Sequence, residues 1–183
     1  MSTDFIALFD IAPGVVTPEW LLAKLAANPV FAVGLVERYR DRWKPKAWAT
    51  ETAPVTGSPI LWGPGGFALR FASGTLDLYH MMPFHTFAGD PASRDALRLA
   101  CLEIAELVGS SRALYTHELM PHEGEGLDEI ERWLRAQIGP PALTFEELQE
   151  ADYFGPRAWY IDSFADLRGS SAGTRPPSIG VCY

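Results

Sequence analysis

Apolar and polar positions in this chain switch between a period of two and a period of three to four, and the switches mark out its elements. Phe5-Ile6-Ala7-Leu8-Phe9-Asp10-Ile11 is an apolar run rich in β-forming residues and closed by Pro13-Gly14, which predicts a buried strand. Thr17-Pro18 is a helix start, with a hydroxyl to cap the first turn and a proline at the first helical position. Trp20, Leu21, Leu22, Leu25 and Ala26 supply its apolar stripe, and Asn28-Pro29 ends it. Residues 30–43 contain Val30, Phe31, Val33, Leu35 and Val36, which suit a strand and a buried helix equally.

Residues 44–66 hold four prolines and four glycines and predict a long loop, a candidate for the functional face. Alternating Phe67–Phe71 and Thr75–His80 flank Ser73-Gly74 and predict a β-hairpin. Asp90-Pro91 opens the most regular helix, in which Ala96, Leu97, Ala100, Cys101, Ile104, Ala105 and Val108 recur at three- and four-residue steps before Gly109. A strand over Arg112–His117 follows, then a helix carrying Leu127, Ile130, Leu134 and Ile138. Thr144 and Glu147 form a capping box, and Ala158–Ile161 predicts a last strand.

Through residue 117 the order is strand, helix, strand, strand, helix, strand. The expectation is an α+β domain with a ferredoxin-like βαββαβ core, its sheet mixed or antiparallel and its helices on one face, followed by C-terminal helices and a strand. Residues 1–168 form one domain on this reading, and the Gly-, Ser- and Pro-rich 169–183 a C-terminal tail.

Composition adds limits. With 48% hydrophobic and 12% aromatic residues the chain is too apolar for a disordered protein, yet no apolar run approaches the roughly 20 residues of a membrane span. The start, Met1-Ser2-Thr3-Asp4, lacks the basic residues of a signal peptide, and Cys101 and Cys182 are too few for a disulfide scaffold. A cytoplasmic location is expected.

Charge is distributed unevenly. The formal net charge is −8, while residues 38–46 carry five bases against one acid. From Thr116 to Asp152 ten acids face two bases, Arg132 and Arg135. Such a field attracts basic partners and repels nucleic acid. The basic run interleaves Tyr39 and Trp43 with its cations, as single-strand binding surfaces do, but a solvated face explains it with less.

All four histidines fall in two segments, His80–His85 and His117–His122, each at the end of an expected strand. Strand ends lying side by side would bring His80, His85, His117 and His122 to one zinc ion, with Glu118 or Glu123 as general base of a small metal-dependent hydrolase. The i to i+5 spacing with an intervening proline is not the helical pattern of a metalloprotease, and no serine occupies a nucleophile elbow. Gly63-Pro64-Gly65-Gly66 lacks the ending of a phosphate loop and precedes a strand, so it reads as a turn.

The favoured expectation is a non-catalytic binding protein. Glu123, Glu125, Asp128, Glu129 and Glu131 would face a basic protein partner, with Trp159 and Tyr160 as aromatic anchors and no cofactor. Its concrete form is an immunity-type protein that neutralises a basic toxin, with neither nucleic acid nor membrane as partner.

Overall fold

The computed structural model describes residues 4–12, 14–28, 31–39, 47–52, 58–72, 74–117, 126–154 and 158–170. Strand β1 spans Asp4–Asp10, followed by helices α1 (Pro18–Ala26) and α2 (Val33–Tyr39). Strands β2 (Ala49–Thr52) and β3 (Pro59–Trp62), a tight turn at Pro64–Gly66, and the hairpin β4 (Phe67–Ala72) and β5 (Thr75–Pro83) come next. The remaining elements are α3 (Phe84–Gly89), α4 (Pro91–Val108), β6 (Ala113–His117), α5 (Leu127–Gln137), α6 (Phe145–Phe154), β7 (Tyr160–Asp162) and α7 (Ala165–Ser170).

The helix boundaries follow the local chemistry. Thr17 Oγ1 accepts from the Trp20 amide at 3.2 Å, and the Asp90 carboxylate accepts from the Ser93 amide at 3.0 Å, so each helix start has its cap. Gly109 closes α4 at φ 77°, the left-handed conformation that glycine takes without steric cost. The ambiguous 30–43 stretch becomes helix α2, which buries Leu35; residues 40–43 lie outside the described set.

Among the described residues seven strands form one antiparallel sheet in the order β2-β3-β4-β5-β1-β6-β7. The domain is therefore mixed α+β as expected, but its strand order differs from the expected four-stranded ferredoxin-like core. The sheet and the helices each depart from the expectation. The 44–66 stretch is not a continuous loop, because β2 and β3 extend one edge of the sheet there. Its strands escaped notice because all four β2 residues are exposed and show no alternation, and because Pro59 occupies the first position of β3, where its missing N–H is tolerated.

The second difference lies in the helices, which cover both faces. Phe5, Ala7 and Phe9 of β1 pack in a core with Leu21 and Leu25 of α1, Phe84 and Phe87 of α3 and Leu97, Ala100 and Ile104 of α4. Ile6 and Leu8, on the other face, pack with Leu114, Trp159 and the Leu127, Ile130 and Leu134 stripe of α5. A central strand apolar at every position needs cover on both sides. α5 supplies the second cover, so the expectation of helices on one face fails.

Gly63–Gly66 packs as a wedge. Gly65, at φ 70°, lies so close to α2 that an added Cβ would stand 2.6 Å from Val36 Cα. Gly66 approaches Met81 and Gly63 approaches the Trp48 ring in the same way. The glycines thus admit close backbone contact with α2 and β5, and the Gly65 carbonyl is taken by His80.

Candidate functional site

The histidines do not gather. His80 and His117 both oppose Phe5 on β1, one on β5 and one on β6, so a whole strand separates them. His80 is 1% exposed, and both of its ring nitrogens are engaged: Nε2 with the Gly65 carbonyl at 3.1 Å, Nδ1 with the Met82 amide at 2.9 Å. It has no lone pair to offer an ion in this arrangement. His117 is buried beside Phe84, His85 is exposed on α3, and His122 lies outside the described residues. Among the described residues no group of three His, Cys, Asp or Glu side chains is placed to hold a metal.

The acidic residues divide into two sets. On α5, Asp128 and Glu131 both bond Arg112, the latter at 2.7 Å, and Arg135 adds a bond to Glu131 at 2.9 Å. That helix also carries Arg132, and its exposed Glu129 is one acid in a mixed charge pattern. Glu123 and Glu125 lie outside the described residues. On α6, by contrast, Glu146, Glu147 and Glu150 are all exposed, and the helix contains no Lys or Arg. Hydrogen bonds from its own backbone amide and from Thr144 hold the Glu146 carboxyl below the usual carboxylate range. Glu147 accepts from the Leu143 amide at 2.7 Å and its own amide donates to Thr144 at 3.2 Å, so the Thr144 half of the expected capping box forms while the Glu147 carboxylate reaches one residue further back, to Leu143.

The start of α6 forms one wall of a groove of about 570 Å3, whose other walls are α4, β7 and α7. Asp95, Glu146 and Asp166 contribute carboxylates to it, and Leu143 is 78% exposed at its lip. Phe145 stacks on Tyr160 with ring centroids 4.5 Å apart and carries the Arg94 and Arg98 guanidiniums at 4.4 and 5.1 Å.

The groove is lined in part by a polar network that runs from the exposed Asp166 to the buried Asp162. Arg98 Nε donates to Asp162 at 2.6 Å and Nη1 to Asp166 at 2.9 Å, while the Tyr115 hydroxyl donates to Asp162 at 3.0 Å. Burial pushes the Tyr115 phenol and the neighbouring Cys101 thiol upward, so both stay protonated and Cys101 is a core residue without thiolate character.

Of the two expected anchors, Trp159 is 1% exposed; its Nε1 donates to the Gly139 carbonyl at 3.1 Å and Arg135 covers its ring. Its ring therefore serves the molecule's own packing. Tyr160 is half-buried and lines the groove. The sequence reasoning overlooked Leu143 and the arginine-stacked Phe145; the signal lay in Leu143-Thr144-Phe145, where a capping residue is flanked by two large apolar ones.

The fold and surface thus define a mixed α+β domain with an antiparallel seven-stranded sheet and an acidic helix set against a charged, aromatic groove. The chain matches no protein-family model, no curated protein and no solved structure.

Proposed function

We propose that this chain is a non-catalytic binding protein that captures a basic protein partner, as a toxin-neutralising immunity protein does. The observation that carries this reading is α6, which presents Glu146, Glu147 and Glu150 to solvent and has no basic residue of its own. The α5 carboxylates contribute less than their number promises, because Arg112 and Arg135 already hold Asp128 and Glu131. The docking surface therefore centres on α6 and the lip of the adjoining groove, where Leu143 offers apolar contact and the Glu146, Glu147 and Glu150 carboxylates speed encounter. Among the described residues no helix is long and apolar enough to cross a membrane.

The test is a charge reversal. Glu146→Lys with Glu150→Lys keeps both Thr144 and Glu147, whose amide the Thr144 hydroxyl caps, and changes the surface charge by four. Wild type, used as bait in a lysate of the source organism, is expected to retain a basic protein that raised salt releases. The double variant is expected to associate with that protein at least about tenfold more slowly, while its unfolding temperature falls by no more than about 4 °C from the lost first-turn carboxylate. Equal association by both proteins would remove the proposal.

A further inference from the structure

The pairing of β1 with β5 slips at one place. Phe5 opposes His80 but Asp4 opposes Pro83, so Met81 and Met82 have no opposite residue on β1. A bulge of this kind interrupts the ladder and leaves backbone groups without their strand partners. His80 fills the gap: its Nδ1 accepts from the Met82 amide at 2.9 Å. That bond needs Nδ1 unprotonated, which puts the ring proton on Nε2. Nε2–H then donates to the Gly65 carbonyl at 3.1 Å. Phe67 of β4 and Tyr39 of α2 pack edge-on against the ring at 4.5 and 5.2 Å. One imidazole thus ties together the bulge, the Gly63–Gly66 turn and α2.

We propose that His80 is an acid-operated latch: a proton added at Nδ1 turns that nitrogen from acceptor to donor, breaks the bond to Met82, and frees the turn and α2 from the sheet. The protonated ring would confront the Met82 amide donor to donor, and its charge would sit among Phe5, Phe67 and Tyr39. No carboxylate of the described residues is bonded to or paired with it. Glu37 and Arg38 on α2 are exposed, Arg70 of β4 is paired with Asp77 of β5, and the turn has no titratable side chain. Asp4, at the bulge, lines with Arg70 and Tyr79 the cavity of about 430 Å3 that His80 borders, and His117 of β6 lies beyond Phe5.

Burial lowers the His80 pKa to about 4, against which the Gly65 bond acts only in part. The unfolded chain therefore takes up this proton at about pH 6.5 and the latched form resists it. Stability from the neutral ring is complete above about pH 6.5, declines as pH falls toward 4, and changes no further below that. The turn and α2 give way before the sheet because α2 buries only Leu35, whereas β1 is buried from Phe5 to Phe9.

Segment-resolved hydrogen exchange, corrected for the intrinsic effect of pH, tests this. Residues 33–39 and 63–67 are expected to exchange at least about tenfold faster at pH 4 than at pH 6.5, while β1 and α4 stay protected. His80→Gln, which can accept and donate but does not titrate here, should remove that acceleration. An unchanged acceleration in His80→Gln, or simultaneous opening of all segments, would overturn the latch. If His80→Gln does not fold, imidazole nitrogen shifts of the wild type decide: an Nδ1 that titrates near pH 6.5 contradicts it.

Discussion

Arg98→Met is expected to lower stability by about 3–5 kcal/mol. Arg98 is 6% exposed, and Asp162, which its guanidinium grips by Nε and Nη2, is 3% exposed. Burial opposes the charge on Arg98, yet the bonds to Asp166 and Asp162 more than offset it and hold the group above its ordinary pKa. Removing the guanidinium leaves Asp162 with the Tyr115 hydroxyl and the Phe164 amide, neither of which neutralises a buried carboxylate. The loss should appear as a fall of about 10 °C in thermal unfolding followed by circular dichroism. Arg98→Lys, which keeps the charge but not the planar fork, should lie between. Removing Asp162 together with Arg98 should not restore wild-type stability, because Tyr115 and Phe164 also lose their acceptor. A shift of less than about 2 °C in Arg98→Met would show that the pair does not hold β7 and α7 to α4.

Gly65→Val is expected to cost about 3 kcal/mol for a different reason. Its φ of 70° is strained for any residue with a Cβ, which adds about 1–2 kcal/mol. The rest comes from the overlap, since a Cβ there would meet Val36 Cα at 2.6 Å and Val36 N at 3.2 Å, both backbone atoms of α2. A helix backbone cannot turn aside as a side chain can, so α2 must move. Gly109→Ala provides the comparison: its φ is 77° but nothing lies within 4 Å, and a loss of about 1 kcal/mol is expected. Denaturant unfolding of the two variants separates strain from collision, and equal losses would contradict the wedge.

What the sequence disclosed follows from where each element's stability originates. α1, α4 and the α6 start announce themselves because Thr17, Asp90 and Thr144 satisfy amides only a few residues away. The β4–β5 hairpin is equally local. β2 and β3 depend instead on neighbours across the sheet, and a four-residue exposed edge strand such as Ala49–Thr52 leaves no periodic trace. The second helical layer was legible in principle, since an uninterrupted Phe5–Phe9 run implies cover on both faces. The role of His80 was not, because it depends on a register slip between distant strands. Likewise the partial neutralisation of α5 rests on Arg112, a residue outside the acidic segment that brings its charge alongside only in three dimensions. Counting charges along the chain therefore does not separate the acids of α5 that arginines pair from those of α6, which has no basic residue of its own.

The most direct measurement of the binding account is the affinity of wild type for its captured partner across a salt series, from about 50 mM to about 500 mM sodium chloride. Attraction to the exposed α6 carboxylates predicts a steep fall in affinity along that series, and a much shallower one for Glu146→Lys with Glu150→Lys. An affinity that does not respond to salt, or that responds alike in both proteins, would contradict the claim that this acidic surface is where the partner binds.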